Sequence, residues 1–282
     1  MIKNIILGTA NFGLNYGIKN KYKKLGIKKI KKILINFKKK KLNFIETSQD
    51  YTNVEKLLGN LNTKQFKIVT KFIFRENNNF VFDKFLETIK NLKTKNVHTV
   101  LFHNSSDLLK KNGEIIYDEM LLLKKKGYIK KIGVSVYKTK ELKKILDKYK
   151  FDIVQVPINI FNQTFIKKDF LHYLKKKKVE IHARSIFLQG LLLLKDKDIP
   201  DKFLKDLKIF QKWNLWLKKN RTTNFDACLN FITNQKCIKK IIVGVDNSKQ
   251  LNEIINFKKS KKKFNFNMMK TKSSRVIDPR LW

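Results

Sequence analysis

One pattern recurs eight times along the chain. A short run of β-branched and aromatic residues is followed by a longer run with apolar residues at helical spacing. The short runs lie at 4–10, 44–48, 66–72, 99–104, 131–136, 153–159, 180–186 and 238–245. Between them the spacing predicts helices over 27–37, 54–58, 80–92 and 114–126. Further helices follow from 139, over 166–174, 202–217 and 224–232, and last over 248–257. Gly59 and Gly127 are expected as helix stops. The strand runs are almost continuously apolar, as a parallel sheet covered on both faces requires. Eight such units in 282 residues is the count of a closed (β/α)8 TIM barrel, expected as a single domain over 1–282. The rival is an open doubly wound sheet, which usually carries a Gly-rich dinucleotide turn after its first strand. Gly8 and Gly13 do not make G-x-G-x-x-G, so the barrel is favoured.

Charge raises a different class of function. Lys and Arg number 64 against 23 Asp and Glu, a net charge of +41. That balance suits a nucleic-acid binder. Only five of these cations are arginine, the residue whose bidentate fork reads bases and phosphates. The lysines are spread along the whole chain beside many Asn, Ile and Phe, residues with A+T-rich codons. Compositional bias therefore explains the charge, and no specific nucleic-acid partner is expected. The lysine run at 258–263 reads as a solvated connection. Cys228 and Cys237 offer neither a disulfide framework nor a metal site. The opening apolar run is too short for a signal-peptide core, and the longest apolar stretch, 186–194, falls short of a membrane span. A cytoplasmic protein without membrane contact is the expectation.

In a barrel of this kind the chemistry gathers at the C-terminal ends of the strands. Those ends carry Thr9, Asn11, Glu46, Lys71, His103, Ser135, Gln155, Asn159, Arg184, Ser185, Asp246 and Asn247, with Tyr51 in the loop after Glu46. Taken singly, each has a plain structural reading: a surface lysine, a hydrogen-bonded histidine, a packing aromatic, a solvated acid. Their joint position on successive strands singles them out.

At this point the sequence resembles the aldo/keto reductase superfamily over nearly its whole length. The opening Gly8-Thr9-Ala10-Asn11-Phe12-Gly13 resembles the family's first strand. Phe44-Ile45-Glu46-Thr47-Ser48-Gln49-Asp50-Tyr51 resembles its F-D-T-A-x-x-Y element. Val69-Thr70-Lys71 and Leu101-Phe102-His103-Asn104 look like its lysine and histidine strands. Ile132-Gly133-Val134-Ser135, Gln155 through Asn159, Arg184-Ser185 through Gly190, and Gly244 through Asn247 are similar to its remaining strand ends.

The resemblance implies NAD(P)H-dependent reduction of an aldehyde or ketone to an alcohol. Hydride transfer to a carbonyl carbon leaves negative charge on oxygen, which a proton donor and nearby cations stabilise. It implies Tyr51 as that donor, Lys71 as the group that tunes it, His103 as orienter or relay, and an acid paired with Lys71. The family's acid is aspartate; here it is Glu46, one methylene longer. Ser135 and Gln155, with Asn159 as helper, are implied to hold the nicotinamide carboxamide. Gln189, Gly190 and neighbouring backbone amides, with Ser185, are implied at the pyrophosphate. The start of the last helix, with Gly244, Asp246 and Asn247, is implied at another phosphate. Arg184 stands where the family often stacks an aromatic on the nicotinamide; it either stacks there or meets an anionic substrate group. NADP is the implied cofactor and NAD the alternative, with Gly244 and Gln250 near the 2′-phosphate positions and Lys249 beside them. The partner is a small carbonyl compound, with a sugar-derived one suggested by the chain's two ends, and the enzyme a monomer or small homo-oligomer. The competing reading is a nicotinamide-binding barrel with weak or no catalysis, acting as a sensor or subunit.

Overall fold

The computed structural model describes residues 2–18, 24–74 and 80–282. Eight strands form one closed parallel barrel in sequence order. They are β1 (Ile5–Gly8), β2 (Phe44–Glu46), β3 (Lys67–Phe72), β4 (Val97–Phe102), β5 (Ile129–Ser135), β6 (Ile153–Pro157), β7 (Glu180–Arg184) and β8 (Ile238–Val243). The β1–β8 pairing, Ile5 to Ile241 through Leu7 to Val243, closes the ring and excludes the open doubly wound sheet. Among the described residues no helix is long and apolar enough to cross a membrane.

Side chains alternate across each strand, so two apolar sets are needed. Ile6, Val69, Leu101, Ile153 and Ile242, with Phe44, form a small cluster inside the barrel. The alternate residues, such as Leu7, Ile45, Ile68, Val100, Ile132 and Val154, join the large core beneath the helices. This double burial is why the strands read as unbroken apolar runs. The helices supply the matching faces. Ile27–Lys39 buries Ile30, Ile33, Leu34 and Phe37 and leaves its lysines outside. Polar groups lie near the N-terminal end of the barrel. There Lys131 pairs with Glu180 at 2.6 Å, and Lys240 lies over the Phe44 ring.

Some boundaries differ from the sequence reading. Gly59 lies inside the helix Val54–Asn60, where a Cβ would collide with the Asn91 carbonyl oxygen. It is a close-contact glycine rather than a helix stop. Gly127 does follow its helix, with φ at +77°. The helix expected over 202–217 begins at Leu207, preceded by 3-10 turns over Asp201–Asp206.

The helix Val54–Asn60 also buries an acid. Glu55 accepts from Thr70 Oγ1 at 2.6 Å and from Thr88 Oγ1 at 3.2 Å. Burial pushes its carboxyl up from 4.5 to about 7, against the pull of those hydroxyls. The folded state therefore holds the proton more tightly than the unfolded chain. This stabilisation is complete below pH 4.5 and is lost as pH rises through about 7. Glu55→Gln keeps the shape and removes the titration. Its melting temperature relative to wild type is expected to rise by several degrees between pH 5 and pH 8, reflecting at most about 3 kcal/mol. A difference that does not change with pH would contradict an ionisable Glu55 in this pocket.

Candidate active site

A cavity of about 600 Å³ opens at the C-terminal mouth of the barrel. A more open surface groove of about 860 Å³ lies beside the helices Leu207–Asn220 and Asn224–Thr233, and none of the candidate residues lines it. The mouth cavity is therefore the place to build from.

Lys71 is the centre. It sits two residues beyond Val69 on β3, so it continues the inward face and emerges at the barrel mouth. Among the described residues it is the one lysine in the buried set, in a chain crowded with lysines. An ammonium has three donors. One meets the Glu46 carboxylate, one the Thr47 carbonyl at 3.1 Å and one the Tyr51 hydroxyl at 2.9 Å. Glu46 ends β2, and its longer side chain still places Oε1 on Lys71 Nζ. Burial and the Arg184 guanidinium both push Lys71 below its ordinary range. The carboxylate on its nitrogen opposes them.

Tyr51 and His103 complete the group. Their rings meet edge to face, with centroids 6.1 Å apart. Ser48 Oγ lies 3.0 Å from His103 Nδ1 and orients the imidazole. Burial first, then Lys71 and Arg184, push His103 down to about 3, so it is a neutral imidazole at ordinary pH. Burial raises the Tyr51 phenol above its usual range, and Arg184 pulls the other way. The phenol is thus protonated, held by a lysine and set beside a neutral histidine. A carbonyl oxygen reaching this point meets a donor whose proton is present.

Other named residues share the cavity. Ser135, Gln155, Arg184, Ser185, Gln189, Gly190, Gly244 and Asp246 all line it. Ser135 and Gln155 are direct register partners on β5 and β6. Both amide atoms of Gln155 are buried without a hydrogen-bond partner. The loop after β7 turns through positive φ at Ser185, Leu188, Gln189 and Gly190. The Gln189 carbonyl accepts from Ile18 N at 2.9 Å, so the loops after β1 and β7 meet there.

Two residues expected here stand at their strand ends but do not line the cavity. Asn159 is outside the cavity lining. Its Nδ2 donates to the Ser185 carbonyl at 3.1 Å, and its Oδ1 accepts from the amides of Phe161 and Asn162. It braces the β6 and β7 loops. Asn247 is also outside the lining; its Oδ1 caps the helix Ser248–Ile255 by accepting from Gln250 N at 2.9 Å. Conversely, Tyr16 and Tyr137 line the cavity in addition to the residues that the sequence marks. Tyr137 follows directly on the I-G-V-S-V run, the one sequence signal that places it there.

Residues 4–271 match the sequence pattern of the aldo/keto reductase family. The chain belongs to the aldo/keto reductase family. The family's name states its chemistry, the reduction of an aldehyde or ketone carbonyl. No curated protein matches the sequence. Among solved structures it is similar to an aldo-keto reductase from Bacillus halodurans, with 14% identity, TM-score 0.71, and 91% of this chain and 88% of that one covered. It is also similar to a glycerol dehydrogenase from Gluconobacter oxydans, with 17% identity, TM-score 0.65, and coverage of 89% and 85%. A chain provisionally assigned as an aldo-keto reductase from Pseudomonas aeruginosa shares 20% identity at TM-score 0.65, with coverage of 90% and 88%. At these identities the structural likeness speaks for the barrel alone.

Proposed function

We propose that this aldo/keto reductase reduces a small aldehyde or ketone to an alcohol with a reduced nicotinamide cofactor, and that Tyr51 donates the proton. The observation that carries the reading is the fully satisfied Lys71, bound at once to Glu46, the Thr47 carbonyl and Tyr51. A buried lysine with this partner set costs stability and serves no packing need. Its role is to hold the phenol and to stabilise charge as the proton leaves.

The residues present fit a nicotinamide dinucleotide. Gln155 offers a buried amide with free donor and acceptor beside Ser135, which suits a carboxamide. Ser185, Gln189 and Gly190 form a turn able to present backbone amides to a pyrophosphate. When bound, the cofactor supplies the hydride. The chain then does the rest. Tyr51 gives its proton to the substrate oxygen, and Lys71, held by Glu46, lowers the cost of the resulting phenolate. Neutral His103 hydrogen-bonds the same oxygen and orients the carbonyl.

NADP is the favoured cofactor, with Lys249 at the start of the last helix as the cation for a 2′-phosphate; NAD is the alternative. Paired titrations with NADPH and NADH, read by nicotinamide fluorescence, test this. Saturable binding of at least one is expected, with NADPH tighter. Binding of neither overturns the proposal, and tight binding with no turnover on a panel of aldehydes and ketoses moves the chain to the sensor or subunit reading.

A further inference from the structure

The Tyr137 ring has a guanidinium on each face. Arg184 Cζ lies 3.9 Å from its centroid and Arg280 Cζ lies 3.7 Å away. Two guanidinium carbons at that range cannot share one face, so the ring is sandwiched. Each contact is a favourable cation–π interaction, but the two cations repel each other across the ring. Arg280 is compensated: Asp278 holds it in a two-pronged pair at 2.8 and 2.5 Å. Arg184 has no such contact partner. It donates to Ser185 Oγ and the Val136 carbonyl, both at 3.4 Å, and among the described residues no carboxylate lies within ion-pair distance of it, although its charge reaches the Asp278 carboxylate that Arg280 holds.

The arrangement is built rather than incidental. Arg280 comes from the C-terminal tail, and the tail is pinned. Asp206 takes Arg275 Nε at 2.7 Å and Ser273 Oγ at 2.9 Å, and Trp282 packs edge-on against Phe203. Arg184 and Tyr137 line the cavity that holds Tyr51 and Lys71, and Arg280 stands behind the ring. Four acids line that cavity: Glu46 is on Lys71, Asp246 accepts from Asn11 Nδ2 at 3.1 Å, and Asp50 and Glu253 complete the set; among the described residues none of them forms an ion pair with Arg184. Arg184 is close enough for its charge to act on Tyr16, Tyr51, Lys71 and His103.

Resting on the reductase reading above, we propose that Arg184, braced on Tyr137 with Arg280 behind it, is the receptor for an anionic group carried by the carbonyl substrate. A guanidinium with unused donors at the mouth suits a carboxylate or a phosphate and discriminates against neutral carbonyl compounds. The substrate class is therefore a carbonyl compound bearing an acid group, anchored at one end by Arg184 and presented to Tyr51 at the other. The net positive charge of the chain would draw such substrates inward.

Two matched pairs test this with the full chain: D-glucuronate against D-glucose, and glyceraldehyde 3-phosphate against glyceraldehyde. Wild type is expected to favour the charged member of at least one pair in kcat/KM, and the favoured pair tells carboxylate from phosphate. Arg184→Met is expected to lower that preference ~30-fold, chiefly through KM, the scale of a lost charge-assisted hydrogen bond. Arg280→Met is expected to lower it less, and Arg184→Lys to restore part of it, which separates lost charge from lost fold. A preference for the neutral members, or one unmoved by Arg184→Met, overturns the proposal. So does a variant in which only the ratio of affinities for oxidised and reduced cofactor changes, since Arg184 then acts on the nicotinamide. If no carbonyl compound turns over, the reductase reading fails by itself, and calorimetry with gluconate and glycerol 3-phosphate still decides the anion site. Arg184-dependent binding supports it, and no binding overturns it.

Discussion

Replacing Tyr51 by phenylalanine is expected to lower carbonyl reduction by at least ~10²-fold while leaving cofactor affinity within about twofold, the signature of a lost general acid. The ring and its edge-to-face contact with His103 are kept; only the hydroxyl on Lys71 Nζ is removed. The loss should fall on kcat, because the proton is needed only as charge develops on the substrate oxygen. Steady-state rates on a reactive aldehyde, beside a fluorescence titration of the cofactor, check it. Full activity in Tyr51→Phe would remove the phenol from the mechanism.

Lys71→Met is expected to damage stability and activity together. It leaves the Glu46 carboxylate buried without its cation, at a cost of about 3–5 kcal/mol. A second change, Glu46→Leu, removes the stranded charge and should recover most of that stability. Activity should not return, because nothing then supports the Tyr51 phenolate. Glu46→Asp should keep the pair and much of the turnover, and Glu46→Gln should depress turnover. Denaturant midpoints of the single and double variants make the comparison. Equal stability for Lys71→Met and the double variant would mean that Glu46 and Lys71 are not a buried ion pair.

The barrel was legible because its two apolar sets impose a local signature. Ile6 and Leu7 face opposite sides of β1 yet both are buried, so the strand has no polar alternation to hide it. Strand ends were less legible. Thr47 and Ser48 continue beyond β2, and their burial around Lys71 and His103 makes them resemble strand. At Gly59 a glycine after an apolar run fits a helix stop as well as a helix–helix contact, and only the approach of Asn91 separates the two. Lys71 could not be told from the other lysines by composition or period; its place at the end of a strand, beside other polar strand ends, and then the resemblance pointed to it. Asn159 and Asn247 stand at the expected strand ends, but local backbone amides claim their side chains. Tyr137 and Arg280 meet through a tail pinned at Asp206, a long-range contact that no local pattern announces.

The central claim is that this mouth moves a hydride to a carbonyl carbon while Tyr51 supplies the proton. Reduced cofactor carrying deuterium at the transferable position of the nicotinamide tests it most directly, with the alcohol product analysed by mass spectrometry. One deuterium on the carbinol carbon is expected with the wild-type chain, and its rate of appearance should fall at least ~10²-fold in Tyr51→Phe. An alcohol without deuterium, or deuterium transfer at the same rate in both proteins, would contradict the account.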